Sequence, residues 1–313
     1  MRFVILLDSH PDDFEMETFE SLKNTLNQFA KVEVLHFKPL FLNELRKDDV
    51  VFNLAVGKRH DFAQGFISAA LEAANIEFVG SPAYTHYVSL DKFTTKSLLK
   101  AYGISTPSGA IYDGKKWRGD IPHPPLMVKP SSEGSGIGVD EKSLCFDVKE
   151  AQEVAKEKFL TFKEPILVEE YIQGKEITVG VLGDDDRIEV LPPLEIDFSN
   201  LPNGIEKYYS KRVKEEYAEE TVYRCPPAVD KDVLEVVKEM AVEVFKVIKA
   251  RDFIRMDMRI SNGIPYLIEV NSRPGLHPSL SDIPKMVKAI SKDYDWLVKR
   301  IVRRALKNVG GAK

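Results

Sequence analysis

The sequence is poor in cysteine and contains no long hydrophobic run. Only Cys145 and Cys225 occur among the 313 residues, and neither belongs to a Cys-x-x-Cys pair. This excludes a disulfide framework, argues against a zinc site and predicts a cytoplasmic protein. No apolar run approaches the ~20 residues of a membrane span, and the N-terminus MRFVILLDSH becomes acidic too early for a signal peptide. We therefore expect no membrane partner.

An excess of basic charge is also absent. The formal net charge is −5 with acidic and basic residues interspersed, so we expect no nucleic-acid partner. Hydrophobic residues make up 43% of the chain and charged residues 30%, enough for a buried core and a solvated surface. A chain of this length predicts two or three domains.

The N-terminal third alternates between strand and helix patterns. Short apolar segments predict strands at residues 3–7, 32–37, 50–54 and 76–79, and helical periodicity predicts helices at 13–29 and 62–74. Because strands that are joined by crossover helices run parallel, this pattern predicts a parallel sheet and the α/β fold class.

Residues 255–271, RMDMRISNGIPYLIEVN, carry the most informative pattern in the chain. Two alternating apolar runs flank an Asn-Gly turn, which predicts a hairpin with Asp257 and Glu269 side by side. Together with Asn271 these residues offer the hard oxygen ligands that suit Mg²⁺, and Arg255 could neutralise a transferring phosphoryl group. The alternative is an ordinary hairpin with solvated charges.

Residues 126–139, LMVKPSSEGSGIGV, predict a buried strand that ends at Lys129 and a following loop rich in glycine and serine. Such a loop leaves backbone N–H groups free to approach phosphate oxygens. It lacks the Gly-Lys-Ser/Thr of a Walker loop, and a plain hairpin turn is the alternative.

Residues 166–183, ILVEEYIQGKEITVGVLG, predict two strands joined by a Gln-Gly turn. Glu169 and Glu170 end the first strand and Glu176 opens the second. A connector of this kind could offer backbone groups to an adenine edge and a carboxylate to ribose hydroxyls. The alternative is an edge hairpin with exposed glutamates.

In this order the three segments resemble the ATP-grasp superfamily and, within it, the D-alanine–D-alanine ligase-like branch. The matching stretches lie between about Val79 and Met286: FVGSPAYTHYVSLDKFTTKSLLKAYGISTP, MVKPSSEGSGIGV, VEEYIQGKEITV, RMDMRI, IEVNSRPG and a Ser-x-x-Pro tail at 281–284. The resemblance implies a three-domain fold, α/β (α+β), with ATP bound between two domains. We place the domains at residues 1–87, 88–172 and 173–313.

The resemblance also implies roles for the residues that match the family's motifs. The ATP-binding set is Lys92, Lys129, Ser135, Glu169, Glu170, Tyr171, Ile172 and Glu176, where Glu170 replaces a frequent lysine. The ligands of two magnesium ions, which Mn²⁺ could replace, are Asp257, Glu269 and Asn271. The catalytic set is Arg255 on the transferred phosphoryl group, the Gly275 backbone as an oxyanion donor, Ser135, Ser281 and a lysine from a lid.

Residues 195–224 are long, polar and rich in turn residues, which is typical of a lid. In the family an equivalent loop closes over ATP and supplies a lysine and a tyrosine. The usual short tyrosine motif is missing here, so the lid lysine is Lys211 or Lys214, and a solvated charge cluster is the alternative.

Both substrate pockets depart from the family pattern. Val56 stands where the family has a histidine, nearby His60 is more typical of a solvated loop, and the acidic glycine loop is lost. The family's glutamate for the substrate amine has no clear match, and Asp12, Asp13 and Glu15 are the local candidates. Near the C-terminus, Arg273 and Asp282 are unusual charges, and an acid at position 282 would repel an incoming carboxylate. We therefore predict that D-alanine is not the physiological substrate.

The resemblance implies a cytoplasmic, homodimeric enzyme that joins a carboxylate to an amine through an acylphosphate and releases ADP and phosphate. One alternative is a ligase or kinase that uses a non-amine acceptor. The other is a non-catalytic ATP-binding protein, although such a protein need not keep all three magnesium ligands.

Overall fold

The structure, a computed structural model, describes residues 1–56, 60–134, 136–184 and 187–310; the side chains of residues 60–63, 211 and 215 are outside this description. The described chain forms three sheets with helices packed against them. Within these residues no helix is both long and apolar enough to cross a membrane. The predicted mixed α/β fold with an N-terminal parallel sheet is confirmed.

The N-terminal region is a four-stranded parallel sheet in the order β2-β1-β3-β4. Its elements follow the predicted alternation: β1 Arg2–Leu7, α1 Asp13–Leu26, β2 Lys31–His36, β3 Asp49–Asn53, α2 His60–Ala73 and β4 Glu77–Val79. Helix α1 begins with a capping box, in which Asp12 accepts from the Glu15 N–H and Glu15 accepts from the Asp12 N–H. This cap fixes the helix start beside the carboxyl ends of the strands.

The central region is a five-stranded antiparallel sheet in the order β6-β5-β9-β7-β8. Its elements are α3 Ala83–Leu90, α4 Lys92–Ala101, β5 Gly109–Tyr112, β6 Trp117–Arg118, β7 Leu126–Pro130, β8 Leu144–Cys145, α5 Val148–Phe162 and β9 Ile166–Glu170. The sequence predicts a loop from residue 117 to 125, and this was wrong at its start, because Trp117 and Arg118 pair with β5.

The C-terminal region contains the third sheet, in the order β13-β12-β10-β14-β15 with β11 paired to β10. Its elements are β10 Lys175–Gly183, β11 Ile188–Val190, β12 Leu194–Asp197, α6 Lys211–Glu216, β13 Val222–Arg224, α7 Lys231–Val247, β14 Asp252–Ser261, β15 Ile264–Asn271, α8 Asp282–Ala289, α9 Tyr294–Ile301 and α10 Arg303–Gly310. The segment 195–224, predicted to be irregular, therefore contains two strands and a helix. Its two strands belong to the third sheet, and helix α6 lies between them in the sequence.

One hydrophobic core joins the N-terminal and C-terminal regions. Phe3, Leu22 and Phe52 are buried in the same cluster as Leu276 and Leu297. At the edge of this core Arg304 of α10 pairs with Glu77 at 2.6 Å and Asp252 at 2.8 Å. The two ends of the chain thus form one body, and the central region packs beside it.

Candidate active site

Strands β14 and β15 form the predicted hairpin. Asp257 lies opposite Glu269, and Arg255 lies opposite Asn271. The turn residues 262–263 have positive φ angles of 49° and 77°, as tight hairpin turns require. The register therefore brings all four predicted side chains to one end of the hairpin.

Asp257 is surrounded by hydrogen-bond donors. Arg255 donates to its two oxygens from Nε at 3.0 Å and from Nη2 at 2.9 Å. Asn271 Nδ2 donates at 2.9 Å, and Thr178 Oγ1, fully buried on the neighbouring strand β10, donates at 2.7 Å. These contacts fix the carboxylate in one orientation.

Glu269 lies in a strongly positive environment. Its Oε2 is 3.5 Å from Lys92 Nζ, and its Oε1 accepts from Asn271 Nδ2 at 3.4 Å. Burial raises the pKa of Glu269, but the charges of Lys92, Lys129 and other nearby cations outweigh burial and hold this pKa well below its usual range. The carboxylate is therefore ionised and available to a cation.

The donor chemistry of this cluster fits magnesium. Two carboxylates and one amide converge, which is the small set of oxygen ligands that Mg²⁺ takes when phosphates and water complete its shell. Among the described residues no group of three His, Cys, Asp or Glu side chains is arranged for a metal, and this cluster consists of two carboxylates and one amide. Asn271 can present its oxygen after rotation of the amide.

Two lysines of the predicted phosphate-binding set enter the same space. Lys92, at the start of α4, and Lys129, at the end of β7, are both buried. Lys92 donates to the Glu133 carbonyl of the glycine-rich loop. Lys129 pairs with Glu169 at 2.8 Å. Ser135 lies outside the described residues.

Glu169 has a role that the sequence did not predict for its side chain. The carboxylate is buried and bridges two ammonium groups, those of Lys129 and Lys96. Burial lowers the pKa of Lys96 to about 7, although Glu169 opposes this effect. The bridge anchors Lys129 against helix α4.

A cavity between the central and C-terminal sheets is lined by the predicted nucleotide-binding residues, among them Glu170, Tyr171, Ile172 and Glu176. Arg259 holds Glu176 at 3.6 Å and also donates to Tyr171 Oη at 3.1 Å. Burial raises the pKa of Glu176, and Arg259 opposes this effect. The carboxylate is thus oriented by an arginine from β14.

The segment predicted as a lid reaches this cavity through α6. Lys214 lines it and lies 4.3 Å from the centroid of the Tyr209 ring, whereas the side chain of Lys211 is outside the described residues. Burial, and then the charge of Arg255, lower the pKa of Lys214. Tyr208 Oη donates to the Asp140 carbonyl at 2.6 Å, which ties the segment to the central region.

The loop after β15 brings Gly275 and Ser281 together. A Cβ at Gly275 would lie 2.7 Å from Ser281 Oγ, so only glycine permits this approach. Ser281 Oγ accepts from the His277 N–H at 3.0 Å. The next residue, Asp282, pairs with Arg255 at 3.3 Å and with Lys285 at 3.4 Å. Asp282 is therefore neutralised by two cations. The prediction that Asp282 would repel an incoming carboxylate did not include these two ion pairs.

A second cavity of about 370 Å³ lies between α1 and the loop after β15. Asp12, Glu15, Val56 and Arg273 line it, together with Lys92, Glu269 and Asn271 at its inner end. Asp13, also a sequence candidate, does not line it, and the side chain of His60 is outside the described residues. The two cavities share Lys92, Glu133, Ile137 and Glu269, so they meet at the proposed metal and phosphate position.

Sequence reasoning missed three residues that orient the predicted ones. Each lies on the same face of its helix or strand as an assigned residue, a periodic signal that could have been used. These residues are Lys96, four after Lys92 on α4; Thr178, two after Glu176 on β10; and Arg259, two after Asp257 on β14.

Comparisons with known proteins agree with this geometry. The family model "D-ala D-ala ligase C-terminus" matches residues 121–303. The D-alanine–D-alanine ligase of Pseudoalteromonas translucida is 34% identical over 275 residues, covering 86% of this chain and 84% of that protein. The uncharacterized protein y4sG of Sinorhizobium fredii is 29% identical over 74% of this chain and 67% of that protein.

A solved structure has the same fold. The D-alanine–D-alanine ligase of Bacillus anthracis, complexed with ATP, superposes with a TM-score of 0.78 at 22% identity, over 100% of both chains. The family match and the first relative show membership directly. The chain belongs to the D-alanine–D-alanine ligase-like family of the ATP-grasp superfamily, whose members are ATP-dependent ligases that form carbon–nitrogen bonds.

Proposed function

We propose that this protein ligates a small carboxylic acid to an amine through an acylphosphate, using magnesium and ATP, and that D-alanine is not its physiological substrate. The observation that carries the proposal is the meeting point of the two cavities. There Lys92 and Glu269 line both cavities, and Asp257 and Asn271 each line one of them. One cavity suits a nucleotide and the other a small acid.

The nucleotide would lie in the first cavity. The connector 170–172 would hold the adenine and Glu176 the ribose, while Lys92, Lys129 and Lys214 would contact the phosphates. Of the two lysines considered for the lid, the geometry favours Lys214, because it lines the cavity and forms no ion pair among the described residues. Ser135 and Lys211 stay predictions from the family pattern.

Asp257, Glu269 and Asn271 would hold the magnesium, with Mn²⁺ as a substitute of similar chemistry. When bound, the metal supplies positive charge to the phosphate oxygens and aligns them with the acid. Thr178 and Arg255 keep Asp257 in the orientation that this requires.

The reaction would proceed in two steps. A carboxylate oxygen of the acid attacks the γ-phosphorus of ATP, the bond to the bridging oxygen breaks, and ADP leaves. Positioning and charge do most of the work in such a transfer. The amine then attacks the acyl carbon, the tetrahedral oxyanion is stabilised by Arg255 and the Gly275 N–H, and phosphate leaves as the nitrogen loses a proton. Ser281, 2.7 Å from a Cβ position on Gly275, supports that loop.

Three features support a substrate other than D-alanine. Val56 lines the acid cavity where the family has a histidine. Arg273 places an additional cation in the same cavity. Asp282 occupies one side of the Arg255 guanidinium, which is therefore shared with a protein carboxylate. A homodimer is proposed on family likeness alone.

An ADP-release assay tests the proposal. Pooled L- and D-amino acids and small carboxylic acids are supplied with magnesium and ATP, with and without an amine. We expect turnover that needs both the acid and the amine. Turnover with the acid alone would indicate a kinase, and no ADP release with any compound would reject the proposal.

Arg255→Ala should lower the turnover on the order of 10²–10³-fold, as the loss of an oxyanion donor does. Arg118→Ala is the matched control, since Arg118 lies in the central sheet, is 60% exposed and pairs only with Asp113 among the described residues. Unchanged turnover in Arg255→Ala would show that the role assigned to Arg255 is wrong.

A further inference from the structure

Arg273 is an incompletely paired guanidinium in the acid cavity. Its Nη1 donates to the Leu54 carbonyl at 2.8 Å, and its buried Nε has no hydrogen-bond partner. Within the described part of the chain no carboxylate forms an ion pair with it. A guanidinium has five N–H donors and stays charged in proteins, so most of its capacity is available to a ligand.

The nearest acids are engaged elsewhere. Asp8 accepts from the Val56 N–H at 2.7 Å, and Glu15 accepts from the Asp12 N–H at 3.1 Å in the capping box of α1. Both carboxylates interact with Arg273 only through space. Burial lowers the pKa of Arg273, and the charges of the two carboxylates oppose this effect. They moderate the positive potential at the guanidinium without occupying its donors.

The position of Arg273 along the chain sets a length scale. It lies two residues after Asn271 and two before Gly275, and all three line the cavity. Positions two apart in a chain are separated by at most roughly 7 Å, the value for an extended strand. An anion on Arg273 would therefore lie within a few bonds of the carboxylate that is activated beside Asn271 and Gly275.

The phosphates of ATP do not account for this cation. Lys129 and Lys214 line the nucleotide cavity and Lys92 lines both cavities, whereas Arg273 lines only the acid cavity. A ligand of Arg273 would therefore belong to a substrate that enters the acid cavity.

We propose that Arg273 binds a second carboxylate on the acid substrate, so that the enzyme activates a small dicarboxylic acid of about the size of aspartate or glutamate. This inference rests on the proposed function and names its substrate class. Arg273 is then a specificity-determining residue, since its planar donors match a carboxylate in a bidentate manner. An acid with an uncharged side chain, such as alanine, leaves this cation with only the Leu54 carbonyl as a hydrogen-bond acceptor among the described residues.

The test compares acids that differ only in the second charge. ADP release is measured for aspartate against asparagine and glutamate against glutamine, in both chiralities, with alanine, succinate and malate included. Each acid is paired with the same pool of amines. We expect the dicarboxylates to be used with a KM roughly 10- to 100-fold below that of their amide counterparts, as expected for a charge-assisted hydrogen bond.

Arg273→Met should remove that preference by raising the KM of the dicarboxylates toward that of the amides, with kcat changed less. Arg273→Lys should restore part of it, and Arg118→Met is the control for an arginine outside the cavity. A purely structural role, through the bond to Leu54, would instead change kcat and KM alike for all acids.

The outcomes separate the inference from the proposed function. Turnover with alanine or the amides that equals turnover with the dicarboxylates overturns the inference and leaves the ligase in place. A dicarboxylate preference that survives in Arg273→Met also overturns it. No ADP release with any acid overturns both.

Discussion

Replacing Glu169 by Gln should destabilise the protein far more than removing one of the two lysines that Glu169 pairs with. The Glu169 carboxylate is 2% exposed, and it bridges Lys96 and Lys129, which are 6% and 8% exposed at their side chains. Without it two buried ammonium groups face each other. Breaking a buried pair in this way costs about 3–5 kcal/mol.

The loss of stability in Glu169→Gln should lie near the lower limit of this range, because Lys96 can lose its proton. Burial already lowers the pKa of Lys96 to about 7, and the loss of Glu169 lowers it further. For ~3 kcal/mol in a protein of 313 residues we expect a fall in Tm of roughly 4–6 °C. Lys96→Met instead leaves one carboxylate with one ammonium, and we expect a change within ~1 kcal/mol.

The pH dependence gives an independent check on this reasoning. Lys96 has a pKa of about 7 in the folded protein against 10.5 in the unfolded chain, so the unfolded chain binds more protons between these values. The stability contributed by this position therefore rises with pH across that range, and the rise should disappear in Lys96→Met.

Thermal unfolding without nucleotide, from pH 7 to pH 10, measures both effects, and titration calorimetry with magnesium and ATP reports whether Lys129 is still positioned. A Tm of Glu169→Gln within about 1 °C of the parent, on the scale of roughly 1.5–2 °C per kcal/mol, would refute the bridge as a stabilising element. So would an equal loss of stability in Lys96→Met.

Two further substitutions test the site and its support. Thr178→Val removes the 2.7 Å hydrogen bond to Asp257 and should weaken magnesium activation by roughly 10–100-fold, as the loss of an outer contact to a metal ligand does. Thr161→Val, at an exposed position, is the control and should have no effect. Equal magnesium titrations of the two variants would contradict this prediction. His86→Gln removes a buried imidazole whose pKa burial lowers to about 3, so it should abolish a loss of about 1.6 kcal/mol in unfolding free energy between pH 6.5 and pH 5. Urea denaturation measures this loss, which the exposed His36→Gln should retain; a slope unchanged in His86→Gln would contradict the reasoning.

Local patterns in the sequence were enough to predict the hairpin that carries Asp257 and Glu269. Alternation and an Asn-Gly turn specify the pairing of Asp257 with Glu269 within one short segment, and the register follows the turn. The parallel N-terminal sheet was predicted for a similar reason, since each strand and helix has its own periodic signal.

Contacts between distant segments were not predictable in this way. Lys96 and Glu169 are 73 residues apart, and Thr178 and Asp257 are 79 apart, so no local period links them. Their positions depend on how separate strands align in the folded sheets.

Short elements were missed for a different reason. Helix α6 has six residues and β6 has two, too few for a hydrophobic period to show. The segment 195–224 was therefore predicted as irregular, although β12 pairs with β10 and β13 pairs with β12.

The core shared by both ends of the chain has a consequence during synthesis. Phe19 on α1 is buried in the same cluster as Leu297 on α9, so the first sheet leaves the ribosome long before the residues that cover it. At ~5–20 residues per second this interval is roughly 10–60 s. Throughout it the nascent N-terminal segment exposes an apolar surface, which makes it a natural client for a chaperone until the last helices are translated.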